Sequence, residues 1–240
     1  MRIAVIDLGS NSIRLLVADI KANGVSRVYR DLATTRLGRG VAMEGMLNSE
    51  AMAKTLSAIK SFLDEAENFR CDTVLAFGTN ALREAGNRWE FLQTVKRETG
   101  LNVEILSGQE EAELSFAGAK AGLGFSGAVL VVDIGGGSTE LSFGDDKGIF
   151  VQSLPMGAVR WTQDYIKNDP PEPLEITAAT AKAKGLMKDI AKRISERAGD
   201  KGYTAVGVGG TWTTLAAVAQ EMSTYDPEKI HGYCLGSSEV

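Results

Sequence analysis

A chain of 240 residues, 44% hydrophobic and 24% charged, is long enough to bury two cores of ordinary globular composition. Its net charge of −5 supplies no basic field and so excludes general nucleic-acid binding. The two cysteines, Cys71 and Cys234, are too few for a disulfide framework and suit a reducing compartment.

Met1 opens directly into an apolar run, with no signal peptide or membrane span, so a cytoplasmic protein without a membrane partner is expected. Residues 2–8 read as a strand delivering Asp7 into the polar turn Gly9-Ser10-Asn11-Ser12. Strands over 13–20 and 25–32 follow across Asn23-Gly24, a hairpin signal. The loop Arg36-Leu-Gly-Arg-Gly40 suits either an anionic ligand or plain solvation. Residues 1–40 hold seven Lys/Arg against three Asp/Glu, so an anion site belongs on the N-terminal side. Asn48-Ser49 caps a helix over 49–69. A strand over 73–77 runs into Gly78-Thr79, a helix follows at 88–99, and a strand at 103–106. Ser107 to Glu113 is a turn and helix start dense in acids, a common arrangement at helix N-termini. Gly122 to Gly127 reads as a linker.

Residues 129–141 then repeat 3–15 without a gap: Asp133 falls on Asp7, Gly135 on Gly9, Ser138 on Ser12 and Glu140 on Arg14. The strand enters three glycines, Gly135, Gly136 and Gly137, which let backbone N–H groups approach an anion closely. The segment is not the dinucleotide fingerprint, because a second strand follows the turn instead of a helix. A cation at 14 and an acid at 140 would let one site hold both a phosphate and a metal. The segment 204–211, ending Gly209-Gly210-Thr211, resembles 72–79, and a long helix is expected over 177–198. The repeat predicts an α/β chain of two duplicated domains, 1–122 and 128–240, flanking an interdomain cleft and hinged near 122–127.

Several segments together resemble the exopolyphosphatase/guanosine pentaphosphate phosphohydrolase family. They are Asp7-Leu-Gly-Ser-Asn-Ser-Ile-Arg14, Thr79-Asn-Ala-Leu-Arg83, Ser107-Gly-Gln-Glu-Glu-Ala112 and Asp133 to Glu140. Ser153-Leu-Pro-Met-Gly157, Gly207 to Thr211 and His231-Gly232 match as well. The resemblance implies a ribonuclease H-like, actin-like fold and magnesium-dependent hydrolysis, with manganese as the alternative ion. The implied substrate is polyphosphate or guanosine pentaphosphate, a small or polymeric phosphate, and a homodimer is compatible with it. It places the family's catalytic glutamate on Glu111, its phosphate-binding arginine on Arg83 and its paired acids, also the metal ligands, on Asp133 and Glu140. The turns 9–12 and 135–138, with Thr79 and Gly209 to Thr211, are then the phosphate donors. Family members continue into a further helix that returns to the first domain, where this sequence stops at Val240. The rivals are an ATPase or kinase of the actin-like superfamily, with nucleotide held by Gly207 to Thr211, and a non-catalytic sensor of phosphorylated ligands. The single histidine, His231, argues against a histidine phosphoryl intermediate or zinc site and is expected to be structural or peripheral.

Overall fold

The computed structural model describes residues 1–22, 24–125, 127–145 and 147–236. Asn23 of the expected hairpin turn, Ser126 of the expected linker and the terminal residues 237–240 lie outside them. The chain forms two compact units, Met1–Ser107 and Gly108–Val240.

In the first unit, β1 (Arg2–Leu8), β2 (Ile13–Lys21) and β3 (Gly24–Ala33) form an antiparallel meander. The helices α1 (Val41–Glu44) and α2 (Ser49–Asn68) lead to β4 (Thr73–Gly78), which pairs parallel to β1. After α3 (Asn80–Glu84) and α4 (Arg88–Thr99), the two-residue β5 (Glu104–Ile105) completes the order β3-β2-β1-β4-β5. Period-two alternation puts Ala4, Ile6 and Leu8 on one face with Ile13, Leu15 and Val17. Ile59 and Phe62 of α2 and Phe91 and Val95 of α4 join the same core. Asn48 caps α2, its side-chain oxygen accepting from the Glu50 and Ala51 amides at 2.9 and 3.3 Å, an arrangement worth about 1 kcal/mol.

The second unit opens with α5 (Gly108–Leu123). The meander β6 (Val129–Ile134), β7 (Thr139–Asp145) and β8 (Gly148–Leu154) comes next. Then come α6 (Ala158–Tyr165), α7 (Pro173–Ala198), β9 (Thr204–Val208) parallel to β6, α8 (Gly210–Ala219) and α9 (Pro227–Ile230). The sheet order is β8-β7-β6-β9. Both faces of this sheet are covered. Leu130, Leu141 and Phe143 pack with Ile190 and Ile194 of α7. Val129, Val131 and Val206 pack with Phe116 of α5 on the other face. Gly144 makes room for that ring, since a Cβ there would lie 2.3 Å from Phe116.

That packing moves the division of the chain. The expected boundary lay at 122–127, but the units divide after Ser107, because the apolar side of α5 is buried on the second sheet. The expected strand 103–106 shortens to Glu104–Ile105. The helix expected at 177 begins at Pro173, where proline takes a position whose N–H would have no helical partner. Each unit is a meander extended by a parallel strand beside its first strand, so the chain is an α/β protein built on a duplicated ribonuclease H-like, actin-like pattern.

The duplication also shows one departure in register. Asp7 pairs with Phe77 across β1–β4, and Asp133 with Val208 across β6–β9. Gly78 is therefore equivalent to Gly209, one residue earlier than the expected match to Gly210.

Candidate active site

The two strand–turn–strand segments fold alike. In each, the first turn glycine donates its N–H to the carbonyl three residues on: Gly9 to Ser12 at 3.2 Å, Gly135 to Ser138 at 3.0 Å. In each, the segment after the third strand presses a glycine on the middle of the turn. Gly38 donates to the Ser10 carbonyl at 2.7 Å, and a Cβ on Gly38 would lie 2.8 Å from that of Ser10. A Cβ on Gly157 would lie 2.6 Å from the Gly136 carbonyl and the Gly137 nitrogen. The next amide, Ala158, bonds the Gly135 carbonyl at 2.9 Å, and those of Val159 and Arg160 bond the Gly136 carbonyl at 2.9 and 3.0 Å. The turns are thus braced from behind, which fixes the direction of their amides.

In the first unit, Asp7 and Arg14 stand opposite each other across β1–β2, their carboxylate and guanidinium 3.6 Å apart and both partly exposed. Ser10 is buried and Asn11 exposed at the tip of the turn, with Ser12 between these extremes. Arg36 has a left-handed backbone, φ 54°, and donates its N–H to the Asn11 carbonyl at 2.8 Å. Thr79, at the end of β4, is held against β1 by bonds from its amide and hydroxyl to the Leu8 carbonyl, 3.3 and 3.4 Å. Arg83, in α3, is half-buried and donates from Nη1 to the Leu106 carbonyl at 2.8 Å.

In the second unit the register aligns Asp133, Glu140 and Ser153 in one row across β6, β7 and β8. They share the face that α5 covers, since Ser115 of α5 donates its hydroxyl to Asp133 Oδ2 at 2.7 Å. Asp133 is partly exposed, whereas Glu140 is 2% exposed and accepts from the Ser153 hydroxyl at 2.8 Å. The repeat therefore places Arg14 and Glu140 at equivalent positions but in different surroundings, one at the surface and one inside. Gly209, φ 91°, backs onto this carboxylate, as a Cβ there would lie 2.6 Å from Asp133 Oδ1. Gly210 opens α8, and the Thr211 hydroxyl bonds the Ile134 carbonyl at 3.2 Å. Ile134 is the counterpart of Leu8, so Thr79 and Thr211 serve equivalent carbonyls although the strand register differs by one. Glu111 lies in the first turn of α5 and is half-buried; its neighbour Glu110 is exposed. His231 is exposed, as a peripheral residue would be.

Asp133 and Glu140 are hard oxygen donors directly paired on neighbouring strands, beside a glycine turn. That set fits magnesium, which takes one or two protein carboxylates and keeps several waters. Among the described residues, no three His, Cys, Asp or Glu gather into an all-protein metal cage. Sequence reasoning assigns no part to Ser115, and none of its own to Ser153, Gly157 or Gly38, the last inside the loop 36–40 read as an anion contact or a solvated turn. Ser153 and Gly157 lie inside a quoted motif, but a hydroxyl reaching a carboxylate across strands leaves no local pattern.

The chain belongs to the Ppx/GppA phosphatase family, whose model matches residues 16–236. It is 36% identical to exopolyphosphatase 2 of Mycobacterium tuberculosis over 96% of this chain and 74% of that protein. It superimposes on the Aquifex aeolicus family member with a TM-score of 0.75 at 37% identity, covering 100% of this chain and 76% of that one. An exopolyphosphatase from Cytophaga hutchinsonii gives a TM-score of 0.85 at 28% identity, covering 95% and 74%. Among the described residues no helix is long and apolar enough to cross a membrane.

Proposed function

We propose that the protein is a magnesium-dependent exopolyphosphatase that releases the terminal phosphate of inorganic polyphosphate, with guanosine pentaphosphate as the other candidate substrate. The observation that carries this reading is the row Asp133, Glu140 and Ser153 beside a braced triple-glycine turn, in a chain similar to proteins named exopolyphosphatases.

Phosphoryl transfer asks little covalent work of a protein and much positioning and charge neutralisation. The amides of the turns 9–12 and 135–138 donate to phosphate oxygens. Arg83 holds a phosphate through its guanidinium fork, the rest of the group being steadied by the Leu106 carbonyl. Glu111 orients the attacking water and takes its proton. Asp133 and Glu140 would hold the magnesium ion, which when bound neutralises charge on the leaving and transferred phosphates. Ser153 keeps the Glu140 carboxylate in one orientation.

Phosphate release from long-chain polyphosphate, guanosine pentaphosphate and ATP, measured side by side with magnesium and with excess chelator, tests the reading. Polyphosphate should be turned over fastest, and only with the metal. Faster release from ATP would instead make the chain an ATPase of the wider superfamily. Binding without any release would make it a sensor, and full activity in chelator would remove the metal from the mechanism.

A further inference from the structure

The helix that carries Glu111 is fastened to the carboxylate strands by two serine hydroxyls. Ser142 of β7, fully buried, donates to the backbone carbonyl of Ala112, the residue after Glu111, at 2.9 Å. Ser115 of α5 donates to Asp133 Oδ2 at 2.7 Å. Ser115 lies four residues after Glu111, so the two side chains leave the helix on one face, about one turn apart. Burial alone does not fix such a helix along its own axis. The ring of Phe116 and the valines beneath it resist separation from the sheet, but apolar contacts are non-directional and tolerate sliding. Hydroxyl bonds are directional, so those of Ser142 and Ser115 together set the remaining degree of freedom, and only that of Ser115 ends on one of the paired acids.

We infer that Ser115 is a positioning residue for hydrolysis: its bond to Asp133 sets the register of α5, and of Glu111 with it, relative to the paired acids. The inference rests on the roles proposed above for Glu111 and Asp133. Ser115 touches no substrate and acts through Glu111. Its loss should therefore lower kcat and leave KM nearly unchanged, because a water-activating group works in the transition state. Removing partners that orient reacting groups commonly costs roughly 10-fold or more.

The experiment is steady-state hydrolysis of long-chain polyphosphate at saturating magnesium by Ser115→Ala, Ser115→Thr and Ser115→Val, each also built on Glu111→Gln. Thermal unfolding and amide exchange over 108–116 are measured on the same proteins. Thr and Val have nearly the same shape and differ in the hydroxyl, so the pair remains informative if the alanine variant folds poorly. Ser115→Ala and Ser115→Val should lose about tenfold in kcat, with faster exchange in the first turns of α5. Ser115→Thr should recover most of the rate. On Glu111→Gln, the serine substitutions should cost nothing further in kcat. Wild-type kcat in Ser115→Val, beside a crippled Glu111→Gln, overturns this inference and leaves the proposed function standing. An equal loss on both backgrounds overturns it too, since Ser115 would then act elsewhere. Near-normal kcat in Glu111→Gln itself overturns the role of Glu111, and the inference with it.

Discussion

Glu111 and Arg83 are given opposite duties, and kinetics can separate them. Glu111→Gln keeps size and hydrogen bonding but removes basicity, so kcat should fall by roughly 10²–10⁴ with little change in KM. Arg83→Ala would remove the charge-assisted contact to phosphate proposed for it before and during transfer, so KM should rise as kcat falls. It also releases the Leu106 carbonyl, whose partner at 2.8 Å is the Arg83 guanidinium. Arg83→Lys, which keeps the charge but not the fork, should therefore recover only part of the loss. Steady-state rates on polyphosphate at saturating magnesium check both. An Arg83→Ala enzyme with unchanged KM would reassign Arg83 to structure. The glycines at the site are constrained in the same concrete sense. A side chain on Gly157 would strike backbone at Gly136 and Gly137, and one on Gly209 would strike Asp133 itself. At Gly157 every obstacle is backbone, and at Gly209 the Ile134 carbonyl, 2.9 Å away, stands behind the carboxylate, so neither clash is relieved by turning one side chain.

Between elements, the end of α7 is tied to the end of β7 through Arg197 and Asp145. The guanidinium Nε meets Asp145 Oδ2 at 3.1 Å, Nη2 bonds Oδ1, and Nη2 also donates to the Gly148 carbonyl at 2.9 Å. The Arg197 hydrogen bond, helped by the Lys147 amide, holds the Asp145 carboxyl below the ordinary carboxylate range. A depressed carboxylate stabilises the folded state fully above its unfolded pKa of about 4. That stabilisation disappears as pH falls through the lower folded value. The urea midpoint of the wild type should therefore exceed that of Asp145→Asn at pH 7, and the gap should narrow steadily below pH 4. A gap independent of pH would mean that the pair stabilises through shape alone. Much at this scale was legible in the residues. The ungapped match of 3–15 to 129–141 anticipates both strand–turn–strand segments, because Asp-x-Gly after β-branched residues dictates the same local path twice. The start of α7 was missed although Pro173 marks it, and the Glu175 carboxylate accepts the Glu172 amide at 2.8 Å in confirmation. The one-residue slip between Gly78 and Gly209 was not legible. Both stretches contain Gly-Thr, and only strand pairing reveals that Gly210 is an added residue before the threonine. Nor could periodicity assign α5 to the second sheet, since Phe116 is matched by a glycine, Gly144, far along the chain.

For the whole molecule, charge presents a problem that a polyanion-cleaving enzyme must resolve. The net charge of −5 repels polyphosphate at long range, yet residues 1–40 carry seven basic side chains against three acidic ones. Arg36 and Arg39 are exposed, and their loop is bonded to the first glycine turn through the Asn11 and Ser10 carbonyls at 2.8 and 2.7 Å. With the first glycine turn binding phosphate as proposed, the cationic field beside it should govern encounter, because charges more than a Debye length away are screened. That length falls from about 10 Å at 0.1 M salt to about 3 Å at 1 M. kcat/KM for long-chain polyphosphate should accordingly drop by roughly tenfold over this range, at fixed saturating magnesium, while kcat changes little. Charge-neutralising substitutions at the loop, Arg36→Gln with Arg39→Gln, should lower kcat/KM at 0.1 M and flatten the slope. They lie away from Glu111 in the chain and should leave kcat near the wild-type value. If kcat/KM instead rises with salt, the negative charge of the whole protein dominates approach, and the loop arginines are solvated surface.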